Sequence, residues 1–237
     1  MHKLSILVPV YNESEYIIRS LENVISTKLK DWQKEIIIIN DGSTDNTLDL
    51  ITQFRKMHPS IKIISYQKNK GKGYALKKGI EIATGDVLIV QDADLEYDPL
   101  DYDRILAEYS KKQNVVYGSR ILGASIYHNY NAGRKYLIGG MMLTKLANTF
   151  FKTKLTDQPT CYKSWRSNLN NGLLGYCKSD GFEFEIEMTA YFAKNGKIVE
   201  VPIHYYPRTV SHGKKIGYFD FLKSVFISLN CAFINKP

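Results

Sequence analysis

Cysteine is scarce: Cys161, Cys177 and Cys231 are the only three in 237 residues. An odd number without metal-ligand spacing excludes a disulfide framework and a zinc site, and reads as reduced thiols of a cytosolic compartment. No apolar run approaches the ~18 residues that a spanning helix needs. The opening Met1–Val10 is too short and too soon interrupted to be a signal peptide, so any membrane is expected to be met from outside, at its cytosolic face. Repeats, low-complexity tracts and clear linkers are missing too, which predicts one main unit over 1–205 with an appendage over 206–237. Neither G-x-x-x-x-G-K-[ST] nor G-x-G-x-x-G with a following acidic residue occurs, which excludes a P-loop hydrolase and a dehydrogenase. Without an RNP-like aromatic strand or a basic-region helix, nucleic acid is not an expected partner.

What is present is a globular composition, 44% hydrophobic and 24% charged, able to bury roughly 70–75% of its unfolded surface in one core. The net charge of +8 points to anionic partners such as phosphorylated small molecules or an acidic membrane surface. In the first half, apolar runs (Leu4–Val10, Ile36–Asn40, Ile61–Tyr66, Asp86–Gln91, Val115–Gly118) alternate with helical patterns near 13–26, 45–57, 73–84 and 99–112. That alternation predicts an α/β fold, a Rossmann-like and mostly parallel sheet flanked by helices. In the second half, helices are predicted over 134–151, 182–194 and 217–234 and a strand over 198–205. The final helix carries Leu222, Val225, Phe226, Leu229 and Phe233 at helical spacing. Such a helix either lies in a lipid headgroup layer or packs on its own domain.

Ligands of parallel sheets sit beyond the carboxyl ends of the strands, and the polar motifs fall there. Asp92-Ala93-Asp94 follows the apolar run Val87–Val90. Extended backbone points the two carboxylates to one side, where they suit a divalent cation with positions left open for phosphates; Glu96 offers a third oxygen. Asp41, at the end of another apolar run, suits a nucleotide base, with Gly42 permitting close backbone approach, while Asp45 caps the next helix. Lys72, in Asn69-Lys70-Gly71-Lys72-Gly73, stands near a helix start where phosphate binds, although a plain turn explains that segment equally well. Arg120 ends a strand facing the same crevice as the acidic motif, and Arg134 opens a helix. Arg208 and Lys214 belong to a basic loop.

Taken in order, these motifs resemble family 2 glycosyltransferases of the GT-A fold, in particular the polyprenyl-phosphate (dolichol-phosphate) mannosyl- and glucosyltransferases. The likeness runs from Val8-Pro9-Val10-Tyr11-Asn12-Glu13 through Asn40–Asp45, Asn69–Gly73, Asp92–Glu96 and Gly118-Ser119-Arg120 to Tyr206-Pro207-Arg208 and Gly213-Lys214-Lys215. It implies that Pro9, Tyr11, Glu13 and Asp41 hold a nucleoside-diphosphate sugar, with Lys72 and Ala93 beside it. It implies Mg²⁺ or Mn²⁺ on Asp92, Asp94 and Glu96, the last standing where relatives often carry Gln. Arg120 and Arg134 are then expected at the acceptor phosphate, and Arg208 and Lys214 on a loop over both phosphates. Catalysis is expected of Asp94, Arg120 and Arg208. Thr156–Lys163 departs from the family's small-residue pattern. The implied reaction moves mannose or glucose to a polyprenyl phosphate at the membrane surface, with a membrane partner protein as another means of recruitment. The alternative is transfer to a sugar hydroxyl, which needs a base such as Asp180, Glu183 or Glu185; the absence of Q-x-x-R-W counts against a polymerase.

Overall fold

The computed structural model describes residues 1–127, 134–208 and 218–233, the side chains of 134–137 and 218–220 excepted. Its strands are β1 (His2–Val10), β2 (Trp32–Asp41), β3 (Lys62–Tyr66), β4 (Val87–Val90), β5 (Val115–Ser119), β6 (Lys163–Arg166) and β7 (Ile198–Pro202). They form one sheet in the order β3-β2-β1-β4-β6-β5-β7. The helices are α1 (Ile17–Ser26), α2 (Thr47–Met57), α3 (Lys72–Ile82), α4 (Tyr102–Ser110), α5 (Arg120–Tyr127), α6 (Arg134–Phe151), α7 (Asn170–Tyr176), α8 (Phe184–Asn195) and α9 (Tyr218–Phe233). The core of the sheet follows from its sequence. Leu4–Val8, Ile36–Ile39 and Val87–Val90 are buried without interruption. Successive strand residues face opposite sides, so unbroken burial means that both faces are covered, as parallel sheets require.

Every described strand pair is parallel except those of β6, which runs antiparallel to both β4 and β5. Lys163-Ser164-Trp165-Arg166 has no apolar run and gives no strand signal, yet its first three residues are buried. Polar partners make this tolerable: the Ser164 hydroxyl donates to the Val116 carbonyl and accepts from the Tyr109 hydroxyl. Because β6 enters in reverse, the residues before it, Asp157–Tyr162, arrive at the edge where β4 and β5 end. The short helices α5 and α7 are likewise absent from the sequence reading. The helix expected from residue 13 begins at Ile17, because Asn12 adopts φ +50° and the Glu13 N–H donates to the Thr47 hydroxyl. At α2 the cap position is Asn46, while the Asp45 carboxylate accepts from the Thr47 N–H. All three cysteines are buried and unpaired.

The last helix docks in a way its composition does not announce. Ser224, Ser228 and Cys231 form its buried face, whereas Leu222, Phe226, Leu229 and Phe233 are exposed. It packs on α6 and α8, with the Phe150 and Phe233 rings 6.1 Å apart. No helix among the described residues is long and apolar enough to cross a membrane.

At the end of the sheet away from the motifs, Glu35 accepts hydrogen bonds from Ser5 (2.5 Å), Lys62 (2.6 Å) and the Thr84 amide and hydroxyl (2.8 Å each). Burial pushes its carboxyl up, but the donors outweigh burial and hold it at about 2. A depressed carboxyl contributes stability above its ordinary value of 4.5 that is lost as pH falls toward 2, at most roughly 3 kcal/mol here. Urea unfolding of wild type and Glu35→Gln should therefore differ most near pH 7, with the gap closing between pH 4.5 and 2.

Candidate active site

The acidic motif is held from below. Gln91, the first residue past β4, accepts at Oε1 from the hydroxyls of Tyr102 (2.5 Å) and Tyr162 (2.7 Å) and donates to the Asp92 carbonyl (2.8 Å). Ala93 is buried beside it. The chain then turns at Leu95 (φ +63°), where Asp94 Oδ1 accepts from the Glu96 N–H at 3.1 Å. Burial, then Asp92 and Glu96, push the Asp94 carboxyl up to about 7. The Arg208 guanidinium works against that shift, donating to Asp94 Oδ2 at 2.8 Å and to Glu13 Oε2 at 3.1 Å.

Lys72 neutralises the other carboxylate. Its ammonium lies 2.7 Å from Asp92 Oδ1 and 2.8 Å from Glu185 Oε1. Burial disfavours the charged amine, but Asp92 and Glu185 outweigh it and raise its pKa well above the usual lysine range. Glu185 also faces Lys163 at 3.5 Å. Burial would raise the Glu185 carboxyl, but Lys72 and Lys163 hold it below its ordinary value. Lys163, itself buried, donates to the carbonyls of Gln158 and Thr160. The residues just before β6, in the segment that departs from the family pattern, thus cover a buried cation beside the acidic motif.

The remaining predicted residues take definite places. Half-buried Pro9 lies near the end of β1, paired in register with Ile39, and Tyr11 follows the strand. Asn12 ties this turn to the next through its side-chain oxygen, which accepts from the Thr44 N–H at 2.8 Å. Asp41 spends its oxygens on the backbone N–H groups of Lys70 (2.9 Å) and Gly71 (2.7 Å), so its visible task is to hold the loop that presents Lys72. Gly71 has φ +105°, and a Cβ there would strike the Asp180 carbonyl. Arg120 forms a two-pronged pair with Asp157, both contacts 2.7 Å, and stacks 5.0 Å from the Tyr205 ring. Asp157 and Thr156 are in turn anchored through their N–H groups on Glu200. The Arg134 side chain and Lys214 lie outside the described residues.

The structure brings Asp92, Asp94, Glu13, Lys72 and Arg208 together. It does not bring Glu96 into a three-carboxylate set: no group of three His, Cys, Asp or Glu side chains is arranged to hold a metal among the described residues. Asp92 and Asp94 nevertheless fit a hard divalent cation, being two carboxylates on one turn that each already draw positive charge, Asp92 from Lys72 and Asp94 from Arg208. Sequence reasoning missed the Gln91 anchor, the Arg120–Asp157 pair and the Lys163–Glu185 contact. The one signal for the last was a glutamate among apolar neighbours on a predicted helix.

The model of glycosyl transferase family 2 matches residues 5–172. The dolichol-phosphate mannosyltransferase of Pyrococcus furiosus is 26% identical over 94% of this chain and 63% of its own length. A dolichyl-phosphate beta-glucosyltransferase of Trichomonas vaginalis is 32% identical over 60% of this chain. The chain spans less than two thirds of either relative, 63% of the first and 46% of the second. Among solved structures, glucosyl-3-phosphoglycerate synthase of Mycobacterium tuberculosis in complex with phosphoglyceric acid superposes with a TM-score of 0.70 at 17% identity. That match covers 98% of this chain and 80% of the other. A complex of that enzyme with Mn²⁺, uridine diphosphate and phosphoglyceric acid gives 0.68 at 18% identity, over 97% of this chain and 78% of the other. The fold is therefore GT-A, and the chain belongs to glycosyl transferase family 2.

Proposed function

We propose that this chain is a metal-dependent, inverting hexosyltransferase moving mannose or glucose from a nucleoside-diphosphate sugar to a polyprenyl phosphate. The observation that carries the reading is the crowded pair Asp92 and Asp94, offset by Lys72 and Arg208 at the carboxyl end of β4. The similar proteins support it: two relatives are named for dolichyl phosphate, and solved structures of the same fold hold uridine diphosphate with Mn²⁺ or Mg²⁺.

Asp92 and Asp94 would hold Mg²⁺ or Mn²⁺, which supplies positive charge to the leaving diphosphate. Pro9, Tyr11, Glu13 and Asp41 line the nucleotide side, and Ala93 lies between the two acidic residues. Arg208 reaches the same place from the opposite side and offsets charge on the departing oxygens, with Lys214 as its companion. Arg120, pre-oriented by Asp157, is assigned to the acceptor phosphate, and Arg134 is proposed to share that role. An acceptor phosphate monoester has a second pKa of about 6, so it arrives ionised and no base is required. One of its oxygens bonds to the anomeric carbon from the face opposite the diphosphate. The bond to the diphosphate breaks with its electron pair leaving on that group, and the configuration inverts.

A sugar hydroxyl would need a base. Of the candidates, Asp180 is ion-paired with Lys77, and Glu185 is held below its ordinary value by Lys72 and Lys163, which makes it a poor proton acceptor. Glu183, at the head of α8, is the candidate that the alternative retains. The exposed stripe of Leu222, Phe226, Leu229 and Phe233 supports an acceptor drawn from a lipid surface, in a chain whose +8 charge favours anionic headgroups.

Three outcomes are expected. Asp94→Asn should lower transfer to polyprenyl phosphate by about 100-fold or more with its melting temperature kept; undiminished transfer contradicts the assignment. Glu183→Gln should leave that transfer unchanged, and loss of activity together with preference for sugar acceptors would favour the hydroxyl reading. The paired change Phe226→Ser and Phe233→Ser should reduce sedimentation with anionic phospholipid vesicles by about tenfold, on the order of 1.4 kcal/mol. It should spare transfer to a short, water-soluble prenyl phosphate.

A further inference from the structure

Glu96 stands two residues beyond Asp94, where a third cation ligand is expected. Its carboxylate is occupied otherwise. Oε2 accepts from the Tyr205 hydroxyl at 2.8 Å and Oε1 from the Arg208 N–H at 2.8 Å. Its own carbonyl accepts from the Tyr206 N–H at 2.9 Å, and the adjacent Tyr97 forms an antiparallel bridge with Tyr205. Glu96 is 8% exposed and Tyr205 4%. The strap Tyr205–Arg208, which follows β7, is thus fastened to the acidic motif through the side chain, the main chain and the neighbour of one residue.

The consequence lies at the end of the strap. With its amide held by Glu96, Arg208 directs its guanidinium to Asp94 and Glu13, 5.3 Å from the Tyr16 ring. A glutamine at position 96 would set an NH2 group, a donor, where one of these two acceptor oxygens stands, so at least one of the two contacts would have to be reversed or rebuilt, and both would lose the charge of the carboxylate. The carboxylate accepts both contacts through separate oxygens and strengthens them with its charge. We infer that Glu96 is a positioning residue and not a cation ligand: it registers the strap against the acidic motif so that Arg208 is presented to the diphosphate. This rests on the reading of Asp92 and Asp94 as the cation site.

The test compares wild type, Asp94→Asn, Glu96→Gln and Tyr205→Phe. Mn²⁺ binding is measured by calorimetry without donor, backbone amide exchange over 205–208 by NMR, and kcat and KM in the transfer assay. Glu96→Gln should keep the Mn²⁺ Kd within about twofold, speed exchange of the Arg208 amide by about tenfold or more, and lower kcat by about tenfold. Tyr205→Phe should move exchange and kcat in the same direction, again with Mn²⁺ binding kept, and serves if Glu96→Gln fails to fold. Weakening of Mn²⁺ binding by Glu96→Gln to the degree seen in Asp94→Asn overturns the inference, as does an Arg208 amide exchanging at the wild-type rate. Asp94→Asn binding Mn²⁺ like wild type would instead overturn the cation site, while the exchange data still decide the role of Glu96.

Discussion

The structure depends on the way negative charge is concentrated and then balanced at the end of β4. Asp92 and Asp94 lie side by side above a buried strand, and a carboxylate there costs free energy unless a cation stands against it. Burial and its acidic neighbours push Asp94 up to about 7 even with Arg208 beside it. Lys72 answers Asp92 from the start of α3, and Arg208 answers Asp94 from the strap after β7. Elements far apart in the chain are therefore drawn to one point by one electrostatic demand. On the proposed function, a metal-bound diphosphate would bring both signs of charge to that point, so the same demand that organises the free protein would also recognise its ligand.

Behind this lies a second layer of buried pairs. Lys72 shares Glu185 with Lys163, and Lys163 in turn holds the carbonyls of the loop leading into β6. Arg120 is bound to Asp157, which leans on Glu200. Such pairs add little net stability compared with apolar replacements, but removing one partner strands a buried charge. Their effect is to fix where charged groups sit, which suits the proposed task of orienting two phosphorylated substrates. The tyrosines beneath serve the same end: Tyr102 and Tyr162 hold Gln91, and Tyr97 packs on both Tyr162 and Tyr205.

The sheet was readable wherever apolar runs were long. β1, β2 and β4 announce themselves because burial on both faces selects unbroken Leu, Ile and Val. β6 does not, because Ser164 and Arg166 find their partners on α4, β5 and the chain between them, and Lys163 its ion partner on α8; no local pattern carries that information. The acidic pair, Lys72 and Arg208 were legible as residues, and Arg208 does reach Asp94. What the sequence could not convey was who pairs with whom. Asp41 turns to the backbone of Lys70 and Gly71, and Arg120 to Asp157. On α9 the helical period marked an apolar stripe, but only docking through Ser224, Ser228 and Cys231 reveals that the stripe faces outward.

Crystals grown with Mn²⁺ and a nucleoside diphosphate test the central claim most directly, through the anomalous signal of manganese. The account predicts a peak in contact with Asp92 and Asp94, with the Arg208 guanidinium released from Asp94 onto a diphosphate oxygen. Manganese elsewhere, with Arg208 still seated on Asp94 and the nucleotide away from β4, would contradict it.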